Sequence, residues 1–335
     1  MIPAIFGLSG LTLTDDERAF FRDSDPAGYI LFGRNIANRE QLRRLTDELR
    51  AIDGRADLPI LIDQEGGRVA RMKSPEWPDF PSGATFDALY ERAPASAIEA
   101  ARLNAMALAA MLTEVGINVD CLPLLDVRQP GASEVIGDRA LGSEPMRVAA
   151  LGRAILGGLQ DGGVVGIVKH IPGHGRALLD THEALPVVTV SDRELQTDLA
   201  PFAALRDAAM AMTCHVIFEA WDPDRPATLS PVIIDSVIRQ RVGFHGLLLS
   251  DDLDMKALSG DVPSRAAAAV AAGCDIALNC WGRMDDMVGI ANALDPISTV
   301  SRARLEGAMD RISGATGGRA FATLVDQRDA LLAVA

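Results

Sequence analysis

Short apolar runs alternate with longer amphipathic stretches along most of the chain. Eight runs have the length and composition of buried strands, and they lie at residues 3–9, 28–33, 58–63, 117–127, 164–170, 210–218, 246–251 and 274–279. The stretches between them repeat apolar residues at helical spacing, and several end in glycine, as helix C-caps commonly do. Strands that are apolar on both faces and alternate with helices indicate a parallel sheet covered on both sides.

Eight such units predict an α/β fold with a single (β/α)8 barrel. We expect residues 1–335 to form one barrel domain, with closing helices over 302–335, because no composition shift or Pro/Ser/Gly-rich linker marks a second domain. A doubly wound open sheet is the alternative. Polar residues at the carboxyl ends of the runs favour the barrel, where those ends share one face. These residues are Asn35, Asp63, Asp126, Lys169, His170, His215, Asp251 and Asn279.

Composition and charge narrow the functional classes. Hydrophobic residues make up 48% of the chain and charged residues 23%, which is the balance of a globular protein with a large core. The net charge of −14 and the absence of a basic run argue against a nucleic-acid partner. Neither GxGxxG after the first strand nor GxxxxGK[ST] occurs, so the usual nucleotide-binding motifs are absent.

The chain carries no sequence signal for export or membrane insertion. The N-terminal residues lack a basic region and a small-residue cleavage site, and no run of about 18 apolar residues occurs. The four cysteines are widely spaced and form no CxxC pair, as expected for buried thiols in a reducing compartment. We therefore expect a cytoplasmic protein with no membrane partner, a monomer or weak oligomer.

The stretch KHIPGHGRALLDTH, residues 169–182, holds three of the five histidines. Lys169 and His170 end a strand and should emerge at the barrel mouth, and a loop follows. Asp180 and His182 are one residue apart, so both side chains can point the same way in an extended segment. A carboxylate that fixes one imidazole nitrogen leaves the other for proton transfer.

The same histidines leave a metal site open as an alternative. His170, His174, His182 and Asp180 are all ordinary zinc or iron ligands, which would make the protein a metal-dependent barrel hydrolase. Their spacing follows no helical HxxxH register, because a proline and a glycine separate the first two histidines. We therefore predict a metal-independent protein without a cofactor, and keep the metal hydrolase as the second hypothesis.

Two further segments place charged residues at strand ends. In GLLLSDDLDM, residues 246–255, Asp251 comes directly after the strand and should point into the barrel mouth, whereas Asp252 should support the turn. In LIDQEGGRVARMK, residues 61–73, Asp63 ends a strand and Arg71 can turn back toward the pocket. Arg139 follows the fourth strand in a similar way. Acids and arginines on rigid elements suit recognition of a polyhydroxylated ligand, although surface ion pairs are the alternative.

These segments together resemble one known family. KHIPGHGRALLDTHEALP closely resembles the KH-[FI]-PGHG…D-[ST]-H…LP loop of bacterial β-N-acetylglucosaminidases in glycoside hydrolase family 3. LIDQEGGRVAR, VIGDRALG, MTCHVIF and SDDLDM resemble other blocks of that family in the same order. The departures from the family pattern, at Ile171, Arg176 and Asp254, remove no proposed catalytic group.

The resemblance implies a fold and a set of roles. It implies a catalytic (β/α)8 barrel in which Asp251 is the nucleophile and His182 the general acid and base, assisted by Asp180. Terminal sugar binding would be carried by Asp63, Arg71, Arg139, Lys169 and His170. It also implies an exo-acting, retaining enzyme that acts on a small soluble sugar substrate, in keeping with cell-wall recycling of anhydromuropeptides. A phosphorylase using the same site and a non-catalytic sugar-binding barrel remain open alternatives.

Overall fold

A computed structural model describes residues 1–179, 181, 184–312 and 319–333. Within them eight parallel strands form one sheet, namely β1 (Ile2–Gly7), β2 (Pro26–Leu31), β3 (Ile60–Ile62), β4 (Val119–Asp120), β5 (Val165–Ile171), β7 (Met210–Thr213), β10 (Leu247–Leu249) and β11 (Ala277–Asn279). Their order in the sheet is β10-β7-β5-β4-β3-β2-β1-β11, and a bridge between Leu249 and Ile276 brings its two edges together. The predicted (β/α)8 barrel is therefore confirmed.

A second, three-stranded sheet lies outside the barrel and was not predicted. It consists of β6 (Val187–Val188), β8 (Ile217–Phe218) and β9 (Asp222–Pro226). The apolar run at 210–218 therefore contributes a strand to each sheet, because its first part is the barrel strand β7 and its last part is β8. Periodicity alone does not show such a change of sheet, since both parts are apolar and buried in similar measure.

Helices surround the barrel, and side-chain caps begin several of them. The Thr14 hydroxyl accepts the Glu17 N–H while the Glu17 carboxylate accepts the Thr14 N–H, a capping box. The helices are α1 (Asp15–Ser24), α2 (Arg39–Asp53), α3 (Gly83–Arg92), α4 (Pro94–Glu114), α5 (Pro145–Asp161), α6 (Asp192–Ala204), α7 (Val262–Ala272), α8 (Met284–Ala293), α9 (Thr299–Met309) and α10 (Phe321–Leu332). Between β7 and β10 the connecting helix is the π-helix Ile233–Arg241, which is wider than an α-helix.

Two layers of apolar side chains hold the barrel. Alternate strand residues point inward, as Ile5 and Leu61 do, and pack with Leu305 and Met309 of α9. The other strand residues pack outward against the helices. Because α9 contributes to the interior cluster, it closes the amino-terminal end of the barrel, and the opposite end is left for polar side chains.

The fourth strand is much shorter than its apolar run. The run 117–127 yields only β4, and pairing with the next strand resumes as a single bridge between Leu124 and Lys169. Pro123 lies between the two and has no N–H to donate to the ladder, which explains the interruption.

α4 is long and apolar enough to cross a membrane by length and composition. In the structure it packs against α3, α5 and α10, and 67% of its most apolar window is buried. Such burial is typical of a core helix, and the apolar composition of α4 is accounted for by these contacts.

Adjacent glycines in α5 should respond to alanine in opposite directions. A Cβ on Gly157 meets nothing within 4 Å, so Gly157→Ala should raise the free energy of unfolding by about 0.5–1 kcal/mol through helix propensity. A Cβ on Gly158 would stand 2.3 Å from the Arg102 carbonyl oxygen of α4, so Gly158→Ala should lower it by about 1–3 kcal/mol. Urea unfolding of both variants measures this, and equal shifts would contradict the α4–α5 packing.

Candidate active site

A pocket of about 310 Å³ lies at the carboxyl ends of the barrel strands. Its lining includes six of the eight residues predicted from the sequence, namely Asp63, Arg71, Arg139, Lys169, His170 and Asp251. The other two, Asp180 and His182, lie outside the described residues. Barrel closure brings the six together from four separate segments of the chain.

An ion-paired cluster forms one wall of this pocket. Lys169 Nζ lies 2.9 Å from Asp63 Oδ1 and 2.7 Å from Glu65 Oε1. Arg139 donates two N–H bonds to the two Glu65 oxygens, both of 2.8 Å. Arg71 donates one bond of 3.1 Å to Asp63 Oδ2. Three cations thus share two carboxylates, and the bidentate pair fixes Arg139 in orientation as well as position.

The two carboxylates and the lysine of the cluster are held in their charged forms. Burial alone would raise the pKa of Asp63, but Lys169 and Arg71 outweigh it and hold that pKa below its usual range. Burial would likewise raise the pKa of Glu65, but Lys169 and Arg139 outweigh it and lower that pKa. The two carboxylates in turn overcome the burial of Lys169 and raise its pKa. The cluster therefore presents fixed charges to a ligand at neutral pH.

Another buried carboxylate, Asp126, binds two histidines, one at the end of β5 and one just after it. Its Oδ2 lies 2.7 Å from His170 Nδ1, and its Oδ1 accepts the backbone N–H groups of His170 at 3.2 Å and His174 at 2.7 Å. Burial would raise the pKa of Asp126, but His170 lowers it to about 2. Because an ionised carboxylate only accepts, His170 Nδ1 carries a proton, which leaves Nε2 as an acceptor when the ring is neutral.

His174, the second of these histidines, uses its backbone and not its ring in the contact with Asp126. Its backbone N–H has a partner, but its buried ring Nδ1 has none in the described part of the chain. The ring meets that of His170 edge-on, with centroids 5.8 Å apart. Burial lowers the pKa of His174 to about 4, so the ring is neutral at physiological pH.

The acidic turn after β10 places three carboxylates in three environments. Asp251 lines the pocket, and its Oδ1 accepts the Asp252 N–H at 2.8 Å. Asp252 supports the turn, as expected, because its Oδ1 accepts the N–H groups of Asp254 at 3.1 Å and Cys280 at 3.2 Å. Burial raises the pKa of Asp252 to about 7. Asp254 is paired with Arg283 at the rim.

Two important residues were not assigned roles from the sequence. Glu65 is the shared partner of Lys169 and Arg139, and its only signal was its position two residues after Asp63. Asp126 was noted only as a polar residue at a strand end. In both cases the partner groups come from distant segments of the chain, so the local sequence did not show the ion pair.

The described residues contain no group of three His, Cys, Asp or Glu side chains arranged to hold a metal ion. The ligand set considered from the sequence includes Asp180 and His182, which fall outside them. Within the described residues, His170 and Asp126 are paired with each other.

A parallel barrel with a charged pocket at its carboxyl-terminal face has the form of a barrel enzyme. Residues 7–315 match the family model for the glycosyl hydrolase family 3 N terminal domain. The chain therefore belongs to glycosyl hydrolase family 3 and is a glycoside hydrolase.

Named relatives and solved structures agree with this assignment. A β-hexosaminidase of Aromatoleum aromaticum is 39% identical over 92% of this chain and 87% of its own length. The crystal structure of NagZ from Neisseria gonorrhoeae in complex with N-trifluoroacetyl-D-glucosamine has a TM-score of 0.88 and 31% identity, covering 98% of both chains. A zinc complex of NagZ from the same organism has a TM-score of 0.86 and 30% identity, again covering 98% of both chains.

The buried, neutral His174 predicts a pH dependence of stability. An unfolded histidine gains a proton below about 6.5, whereas folded His174 stays neutral down to its pKa of about 4. Its contribution to stability is therefore present above pH 6.5 and is lost as the pH falls toward 4. His174→Gln cannot titrate, so between pH 7 and 4.5 the wild type should lose about 2–3 kcal/mol more than the variant.

Denaturant unfolding of both proteins at several pH values across this interval measures the difference. Parallel stability profiles would contradict a neutral, buried His174.

Proposed function

We propose that the protein is an exo-acting, retaining β-N-acetylglucosaminidase that removes terminal N-acetylglucosamine by a covalent glycosyl-enzyme. The β-hexosaminidase relatives and the NagZ structure with an N-acylated glucosamine support this substrate class. The pocket supports exo action, because about 310 Å³ is at the small end of ligand sites and suits one sugar ring better than a chain.

The observation that carries the proposal is the set of contacts made by the Asp251 carboxylate. Asp63 and Glu65 are neutralised by cations, and Asp252 Oδ1 accepts two backbone N–H groups. Among the described residues Asp251 is a pocket carboxylate with no Lys or Arg partner, and it accepts only the Asp252 N–H. A carboxylate that keeps its lone pairs and faces the pocket is suited to attack an anomeric carbon.

The reaction proceeds in two displacements. An Asp251 oxygen bonds to C1 of the sugar while the C1–O bond to the leaving group breaks, and His182 gives its proton to the departing oxygen. Water then attacks C1 and gives a proton to His182, and the bond from Asp251 to C1 breaks with net retention. Asp180 orients His182 and tunes its basicity. An imidazole titrates near neutrality, which suits both donation and acceptance of a proton.

The ion-paired cluster serves recognition in this scheme. Its fixed charges can bind sugar hydroxyls through charge-assisted hydrogen bonds, while His170, oriented by Asp126, offers Nε2. We place the enzyme in the cytoplasm, acting on small anhydromuropeptides in cell-wall recycling. The sparse aromatic content, 4% of residues, supports a small substrate, since platforms that stack long polysaccharides need many such side chains.

Substitution of the two neighbouring aspartates tests the nucleophile. Asp251→Ala should lower kcat on an aryl β-N-acetylglucosaminide by at least about 10³-fold, because it removes the attacking atom. Asp252→Asn keeps a side-chain oxygen for the turn and should retain much more activity. The opposite order of losses would move the nucleophile to Asp252.

Covalent trapping completes that test. A 2-acetamido-2-deoxy-5-fluoro glycoside should label the wild-type chain, and peptide mass spectrometry should find the sugar on Asp251. A metal-dependent hydrolase or a non-catalytic sugar-binding barrel would give no adduct. Both alternatives are thereby separated from the proposed glycosidase.

The acid role of His182 predicts a dependence on the leaving group. Leaving groups of low pKa depart without a proton, so His182→Ala should lower the glycosylation rate by roughly 10²–10⁴-fold for poor leaving groups and much less for activated aryl ones. Pre-steady-state kinetics with a series of aryl glycosides measures this. Equal losses across the series would contradict the acid role.

A further inference from the structure

A neutral hydrogen-bond network contacts the acidic turn from β7, the strand that neighbours β10 in the barrel. It joins Thr213, at the end of β7, to His215 and Thr228, and all three side chains are fully buried, with 0% exposure. Thr213 Oγ1 lies 2.7 Å from Thr228 Oγ1, which in turn lies 2.8 Å from His215 Nδ1. None of the three lines the pocket.

Thr213 and His215, the two ends of this network, both contact the backbone of the acidic turn. The Asp251 N–H donates to Thr213 Oγ1 at 3.4 Å. At the other end, His215 Nε2 lies 2.9 Å from the carbonyl oxygen of Asp252. The dipeptide Asp251–Asp252 is therefore bound at its first N–H by Thr213 and at its last C=O by His215, two side chains from the neighbouring barrel segment.

The chemistry of the partners sets the proton positions. A carbonyl oxygen only accepts, so His215 Nε2 carries the ring proton. Burial lowers the pKa of His215, so the ring is neutral and its Nδ1 is an acceptor. The Thr228 hydroxyl has two acceptors within reach of its one proton, His215 Nδ1 at 2.8 Å and the Cys214 carbonyl oxygen at 3.0 Å. Because Thr228 is the donor toward both, the Thr213 hydroxyl donates to Thr228 Oγ1 and accepts the Asp251 N–H.

We propose that Thr213, Thr228 and His215 are positioning residues that hold the Asp251–Asp252 backbone and thereby aim the Asp251 carboxylate at the anomeric carbon. This inference rests on the proposed role of Asp251. The orientation of the Asp251 carboxylate affects both displacements, because Asp251 forms the bond to C1 in the first and that bond breaks in the second. A displacement of about 1 Å in a reacting group can cost about 10²-fold in rate.

The test compares variants that differ in one hydroxyl. Thr213→Val and Thr228→Val remove the link at nearly constant shape and should lower kcat by about 10- to 100-fold, with KM within about 3-fold. Thr213→Ser and Thr228→Ser keep the hydroxyl and should remain within about 3-fold of wild type in kcat. Labelling by the 5-fluoro glycoside should slow in the same variants that lose kcat.

Thr46→Val is the matched control for simple loss of a buried hydroxyl. Thr46 is equally buried, in α2, and its hydroxyl donates to the Val115 carbonyl at 2.7 Å, away from the pocket. This variant should lose stability but keep wild-type kcat when assayed well below its unfolding midpoint. A purely structural role for the network predicts that Thr213→Val and Thr228→Val behave in the same way, and that result would overturn the proposal.

A histidine pair gives an independent comparison if a valine variant does not fold. The amide nitrogen of glutamine can replace imidazole Nε2 as donor to the Asp252 carbonyl, so His215→Gln should retain more kcat than His215→Leu by at least about 10-fold. Equal kcat in the two variants would overturn the proposal. Wild-type protein that neither turns over an aryl β-N-acetylglucosaminide nor takes the label would instead overturn the proposed function.

Discussion

The buried ammonium group of Lys169 is the constraint on which the pocket depends. At 2% exposure, a lone cation would be too costly to leave unpaired, and Asp63 and Glu65 supply the compensating charges. Each of these carboxylates also holds an arginine, so the position of Lys169 determines where Arg71 and Arg139 can lie. Lys169, on β5, thereby joins the segments that follow β3 and β4 into a single wall.

That arrangement also explains how carboxylates in one pocket can differ in state. Cations pair with Asp63 and Glu65, whereas Asp252 is buried and accepts two backbone N–H groups of the turn. The Asp251 carboxylate accepts one backbone N–H, and its own N–H is bound by a neutral hydroxyl. The proposed division between sugar binding and nucleophilic attack therefore rests on the environment of each carboxylate and not on residue type.

Sequence reasoning worked best where a local pattern reports burial. The eight apolar runs predicted the barrel strands. Polar residues at their ends predicted four side chains that line the pocket, and the loops after two strands predicted two more, Arg71 and Arg139. It failed where the deciding partner is distant in the chain. Glu65 and Arg139 are 74 residues apart, and His215 acts on Asp252 from 37 residues away, so neither contact leaves a local pattern. The change of sheet within 210–218 was missed for the same reason, since pairing partners define it.

The ion-paired cluster and the surroundings of Asp251 use different kinds of polar contact, and the proposed function gives the difference a chemical rationale. In the cluster, full charges suit the proposed sugar binding because hydroxyl groups bind strongly to ionised partners. Beside Asp251, the proposed nucleophile, a cation would stabilise the carboxylate before the reaction and weaken its attack. Thr213, Thr228 and His215 hold the backbone through neutral donors and acceptors, so they orient Asp251 without neutralising it. Orientation and charge are thus controlled by separate groups, which lets the carboxylate be rigid and reactive at once.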